Sequence, residues 1–184
     1  MSTASTRLKD MSKNADFIDT YRTTKLAGMI ELPPFAWDAP SPHVLPVDVQ
    51  PAHIDLMQHV NNVHYLQWLE DVAWDHSSQL GLKPEDYTRL GTGVVVRRHE
   101  LDYLAPALRG DRVLCATWIT GLDRLSLHRR FQFVRASDGT TLLRAATHYV
   151  CVDIASGKVR RMPGEFSAVY VRGLQAQASA SPAA

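Results

Sequence analysis

Apolar and polar positions alternate along the chain in two different periods. His43 to Gln50 carries Val44, Leu45, Val47 and Val49 and predicts a strand. Pro51 to Val60 is turn-rich. The period then changes. Leu66, Leu69, Ala73, His76 and Leu80 recur at spacings of three and four, and Tyr65, Trp68 and Val72 widen that face. This predicts one long, largely enclosed helix, capped by Asn61 or Asn62 and ended by Gly81. Gly93 to Leu104, Arg112 to Leu122, Leu125 to Ala136 and Thr140 to Asp153 predict four more strands. In the third of these, Leu125, Leu127, Arg129, Phe131 and Phe133 share one face, and Ser126, His128, Arg130 and Gln132 the other.

Asp138-Gly139 and Ser156-Gly157 are hairpin signals, so sequential strands pair antiparallel. Pro163 to Leu174 predicts a short terminal helix. The fold class is therefore α+β: a single domain whose antiparallel sheet wraps one long central helix. Residues 1–42 form an extension, with a short helix over Ala15 to Tyr21 and a Pro-rich connector in which Phe35 and Trp37 must pack on something. Residues 43–174 make the domain, and the Ala/Ser/Gln-rich tail 175–184 is expected to be disordered.

Composition narrows the function. The 184 residues are 45% hydrophobic and 21% charged, with a net charge of +1, which excludes a strong nucleic-acid or membrane-surface field. No apolar run approaches the ~20 residues of a membrane span. The N-terminus lacks an apolar signal core, so the expected location is the cytoplasm. Cys115 and Cys151 lie in strands among small or apolar neighbours and predict buried free thiols. No Cys/His spacing points to zinc, and no cofactor is expected. Serine-elbow, dinucleotide and Walker A patterns are absent.

The informative segment is His53-Ile-Asp55-Leu-Met57-Gln-His59-Val-Asn61-Asn62-Val-His-Tyr65. It sets an acid and a histidine in a turn just before a helix, whose first N–H groups are unpaired and electropositive. An acid beside such donors can attack a carbonyl, or direct water at it, while the donors hold the oxyanion. The spacing Asp55-x-x-x-His59-Val-Asn61-Asn62-x-x-Tyr65, with the later stretch Val96-Arg-Arg-His-Glu100-Leu-Asp102-Tyr103-Leu-Ala-Pro106 running to Gly110-Asp111, resembles the hotdog-fold acyl thioesterases of the 4-hydroxybenzoyl-CoA thioesterase-like superfamily. The resemblance runs from about Val44 to Arg161. It is strongest to bacterial long-chain acyl-CoA thioesterases and weaker to the plant acyl-carrier-protein enzymes.

That resemblance implies a homodimer or homotetramer acting on acyl-CoA. Asp55 matches the catalytic aspartate, as nucleophile or general base. His59 matches the histidine of the signature, either assisting the acid or fixing the loop. Asn61 and Asn62 join the candidate catalytic set as residues that fix the loop and cap the helix, with Asn61 alternatively holding water or the acyl carbonyl, and the oxyanion donor is a backbone N–H near Asn62. Tyr65, Trp68, Leu69 and Val72 are candidates for the acyl pocket. Arg124, in the hairpin turn, is the favoured CoA contact among Arg97, Arg98, Arg124, Arg129 and Arg130. Glu70 is expected to be buried or at a dimer contact. Two departures disfavour a carrier-protein substrate: Met57 replaces an asparagine, and Pro106 an acid. His53 stands where many members have a second acid. A hotdog enoyl-CoA hydratase and a non-catalytic acyl-CoA-binding module are the other readings. A metal site at His53, Asp55 and His59 has little support in the spacing.

Overall fold

The computed structural model describes residues 35–180. In chain order these form β1 (His43–Asp48), a one-turn 3-10 helix (Pro51–His53), α1 (Asn62–Gln79), α2 (Pro84–Arg89), β2 (Thr92–Tyr103), β3 (Arg112–Leu122), β4 (Ser126–Arg135), β5 (Thr141–Asp153) and α3 (Gly164–Ala180). The five strands make one antiparallel sheet in the order β1-β3-β4-β5-β2. This is the α+β architecture anticipated, a sheet packed on one long helix.

α1 forms where its caps and its apolar stripe agree. The Asn61 side chain accepts the Val63 N–H at 3.2 Å, so Asn61 is the N-cap and Asn62 the first helical residue. Gly81 ends the helix in the left-handed region at φ +100°, which its missing Cβ allows. Tyr65, Trp68, Leu69, Val72 and Ala73 bury against Val113 and Cys115 of β3, Phe131 and Phe133 of β4, and Leu143 and Ala145 of β5. Each large side chain removed from water there contributes about 1.5–3 kcal/mol. Leu66 lies on the predicted apolar face but is exposed, because the sheet covers only part of the helix.

A second apolar cluster sits on the same face of the sheet, past the end of α1. Phe166, Val169 and Tyr170 of α3 pack with Ile119, Leu127 and Cys151 of the sheet and Tyr87 of α2. α3 approaches closely at Gly173, where an added Cβ would stand 2.8 Å from Ile119 and 3.0 Å from Leu80. Cys115 and Cys151 are free and buried, and burial pushes both thiols up.

Two boundaries and one helix differ from expectation. Segment 35–42, assigned above to the extension, is bound to the sheet. Asp38 accepts from Arg144 at 2.6 and 3.0 Å, and Gln132 bonds the Asp38 N–H and the Ala36 carbonyl. α3 runs on to Ala180, past Leu174, which corrects the expected disorder over Gln175 to Ala180. Ala and Gln are good helix formers, and low hydropathy hid that propensity. Gln177 also donates to the Ser41 carbonyl at 2.5 Å. α2 went unpredicted, though Lys83-Pro84-Glu85-Asp86 is a helix start with Asp86 accepting the Lys83 N–H. The helix expected over Ala15 to Tyr21 lies outside the described residues.

Candidate active site

The segment before α1 is a closed loop. Asn61 N–H donates to the His53 carbonyl and Asp55 N–H to the His59 carbonyl, each at 2.9 Å, with Ile54 and Val60 bridged between them. Five residues, Asp55 to His59, make the turn. Gln58 takes a left-handed conformation at φ +62°, and its N–H donates to the Asp55 carbonyl at 3.1 Å. The Asp55 Oδ1 accepts the Met57 N–H at 2.8 Å and the His59 N–H at 3.4 Å. One oxygen is thereby held by the backbone, and Oδ2 has no donor among the described residues. The loop is clamped from outside by Ala107. Its carbonyl accepts the Val60 N–H at 2.9 Å, and its N–H donates to the Tyr65 hydroxyl at 3.0 Å.

The structure brings Asp55 and His59 together through the backbone, and their side chains form no hydrogen bond or ion pair with each other. The His59 side chain is exposed. At the start of α1 the Val63 N–H is taken by the Asn61 side chain and the His64 N–H by the Asn61 carbonyl. The N–H of Asn62 has no acceptor among the described residues, and a helix cannot provide one at its first position. His53 packs its ring on His64 and Trp68 and accepts the Gln50 N–H at 3.0 Å, and burial lowers its pKa.

Tyr65 and Trp68, anticipated against the acyl chain, are core residues of the contact between α1 and the sheet. Arg124 is exposed in the turn between β3 and β4, where Asp123 shapes the backbone by accepting from Leu125 and Ser126. Glu70, expected to be buried or at a dimer contact, is exposed in the single chain. Among the described residues no three His, Cys, Asp or Glu side chains are grouped to hold a metal ion, and no described helix is long and apolar enough to cross a membrane.

A cavity of about 690 Å³ runs beside α1, between it and the strands β2, β4 and β5. Val63, Leu66, Glu70, Ala73 and Ser77 line it from the helix, so it extends from the first turn of α1 to the last. Val94, Val96, Leu127 and Tyr149 supply most of the apolar wall opposite. Asp55 and His59 are not part of its wall, which begins at Val63 in the first turn of α1.

The family model of the thioesterase-like superfamily matches residues 49–170, which include the loop, α1 and every cavity residue. This chain belongs to that superfamily. A curated relative, the long-chain acyl-CoA thioesterase FadM of Escherichia coli, is 28% identical over 123 residues, covering 65% of this chain and 89% of the relative. Among solved structures, the DHNA-CoA thioesterase of Staphylococcus aureus superposes with a TM-score of 0.70 at 17% identity, covering 77% of this chain and 97% of that one. The 1,4-dihydroxy-2-naphthoyl-CoA thioesterase Slr0204 of Synechocystis gives 0.65 at 22% identity, covering 71% and 96%.

Within this thioesterase-like fold, sequence reasoning missed the polar end of the cavity. Arg129, named above only as a CoA contact, is 2% exposed and lines the cavity with Ser77, Tyr87, Tyr149 and Tyr170. It donates to His76 Nδ1 at 2.9 Å and to the Ser77 hydroxyl at 2.8 Å, and lies 5.9 Å over the Tyr170 ring. The one signal was an arginine on the apolar face of β4, between Leu127 and Phe131.

Proposed function

We propose that this chain hydrolyses acyl-CoA thioesters, with Asp55 as the catalytic carboxylate and the Asn62 N–H as the oxyanion donor. The observation that supports the reading is that, among the described residues, Asp55 Oδ2 has no donor and the N–H of Asn62, which begins α1 a few residues on, has no acceptor. In the proposed step Asp55 takes a proton from water, or attacks directly, as a new C–O bond forms at the carbonyl carbon. The carbonyl oxygen gains charge, which the Asn62 N–H and the positive end of the helix dipole stabilise. The C–S bond then breaks, and the CoA thiolate leaves and takes up the proton that Asp55 removed from water; in the direct-attack route, water hydrolyses the resulting acyl-Asp55 anhydride, restoring the carboxylate and supplying the thiol's proton. His59, exposed at the end of the loop, is the candidate to assist that proton transfer. Arg124 is retained as the CoA-phosphate contact, on its exposure in the β3–β4 turn.

The working unit in this reading is a homodimer. β2 is a twelve-residue strand at the edge of the sheet, with Val95, Val96 and Tyr103 exposed along it. The other edge strand, β1, is half as long and carries Pro46. Pairing β2 with a second copy covers an edge that would otherwise recruit other chains, and sets the exposed Val63 and Leu66 of α1 against the partner.

Thiol release from a panel of short, long, branched and aromatic acyl-CoAs tests the reading, with wild type beside Asp55→Asn. Turnover that the variant loses supports it. Hydration of an enoyl-CoA without thiol release points to a hydratase, and tight binding without turnover to a binding module.

A further inference from the structure

Arg129 is a buried arginine on the cavity wall. Its guanidinium is buried on the apolar face of β4, and its two hydrogen-bond partners, His76 and Ser77, are both neutral acceptors. No carboxylate pairs with it among the described residues. Asp75, beside His76 on α1, is engaged at 2.6 Å by His43, whose ring stacks on His76 at 4.9 Å. A buried charge without a counter-charge is unfavourable, and an apolar residue of similar size packs such a site at lower cost. Arg129 also lines a cavity. Tyr87, Tyr149 and Tyr170 stand around it there, and the Tyr87 and Tyr170 hydroxyls bond each other at 2.8 Å.

The position along the cavity matters as much as the charge. Arg129 bonds residues of the last turn of α1, whereas the proposed thioester carbonyl lies at the first turn. Fifteen residues of helix separate them, roughly 20 Å along the axis. The wall between is mostly apolar: Val63, Leu66, Ala73, Val94, Val96 and Leu127. Glu70, the other charged group on the wall, lies about two helical turns nearer the loop.

We propose that the Arg129 end of the cavity receives a carboxylate carried at the far end of the acyl chain, so that the preferred substrates are CoA monothioesters of medium- to long-chain dicarboxylic acids. This rests on the thioesterase reading for the reacting end. The guanidinium supplies the counter-charge and planar donors that suit a carboxylate, and the arriving anion neutralises the buried charge. A chain ending in a methyl group leaves Arg129 unpaired.

The test compares kcat/KM for CoA thioesters of equal chain length ending in a methyl, a hydroxyl or a carboxylate. Wild type is expected to favour the carboxylate over the methyl end by roughly 10- to 100-fold, the factor for a hydrogen bond to a charged group. Arg129→Met is expected to lose that preference, and Arg129→Lys to keep part of it. Wild type that turns over the methyl- or hydroxyl-terminated thioester as well as the carboxylate overturns the proposal, and so does a preference that survives in Arg129→Met. If Arg129→Met does not fold, the wild-type ranking decides. If no thioester is hydrolysed, the thioesterase reading fails separately. Calorimetric binding of decanoate against methyl decanoate to wild type then decides the carboxylate site: tighter decanoate supports it, and equal binding overturns it.

Discussion

Arg129 donates to Nδ1 of His76 at 2.9 Å, and that bond exists only while His76 is neutral. Burial, then the charges of Arg129 and His43, push the His76 pKa down to about 2. One strand and one helix are thus joined by two basic side chains, of which only one carries charge.

The consequence is a stability that falls on acidification. His76 takes up a proton near pH 6.5 when unfolded but only near pH 2 when folded, so the unfolded state binds more protons between these values. Stability is complete above about pH 6.5 and declines below it, with a slope approaching ~1.4 kcal/mol per pH unit. His53 and His99, both lowered by burial, act in the same direction. Urea midpoints from pH 8 to pH 4 measure this. His76→Gln should flatten the slope by about one proton, and an unchanged slope would remove His76 from the account.

Asp55→Asn is expected to lower kcat by roughly 10²–10⁴-fold with little change in KM, the range for a lost general acid or base. His59→Ala should lower kcat less, because its side chain holds neither Asp55 nor the helix start. Steady-state kinetics on both variants decide the ranking. Equal and complete losses would make His59 a full partner in the chemistry.

Gln58 sits at φ +62°, where a side chain costs roughly 1–2 kcal/mol. Gln58→Gly should be at least as stable as wild type, since relief of that strain offsets the entropy glycine adds to the unfolded chain. Gln58→Val, β-branched, should lose about 1–2 kcal/mol and reduce activity by displacing the Asp55 carboxylate. Thermal melts alongside kinetics separate the two effects.

Tyr65→Phe removes the acceptor of the buried Ala107 N–H. The expected loss is about 1–3 kcal/mol of stability, with substrate chain-length preference unchanged. A shifted preference at undiminished stability would return Tyr65 to the acyl pocket.

Much of this fold was legible from residue periods. The change from period two to period 3.6 at Asn61, and back at Gly93, marks α1 and the strands, because each period aligns its apolar positions on one side of one element. Asp138-Gly139 placed a turn that the structure contains, with Gly139 at φ +74°. Asp55, His59, Asn61 and Asn62 were legible as a group because they are adjacent in sequence and local hydrogen bonds organise them. What periodicity could not supply was contact between distant segments. Gln132 to Ala36, and Gln177 to Ser41, tie in stretches whose composition alone suggested no fixed place. Arg129 is the clearest case. On β4 it is one cation among hydrophobic residues, and only the sheet's closure on α1 and α3 gives it His76, Ser77 and Tyr170 as neighbours. Local pattern determined the elements and the acid loop, since those depend on near neighbours in the chain. Tertiary structure decided which side chains were buried, and so which charged residue lines the cavity, because burial is set by packing between segments the chain holds far apart.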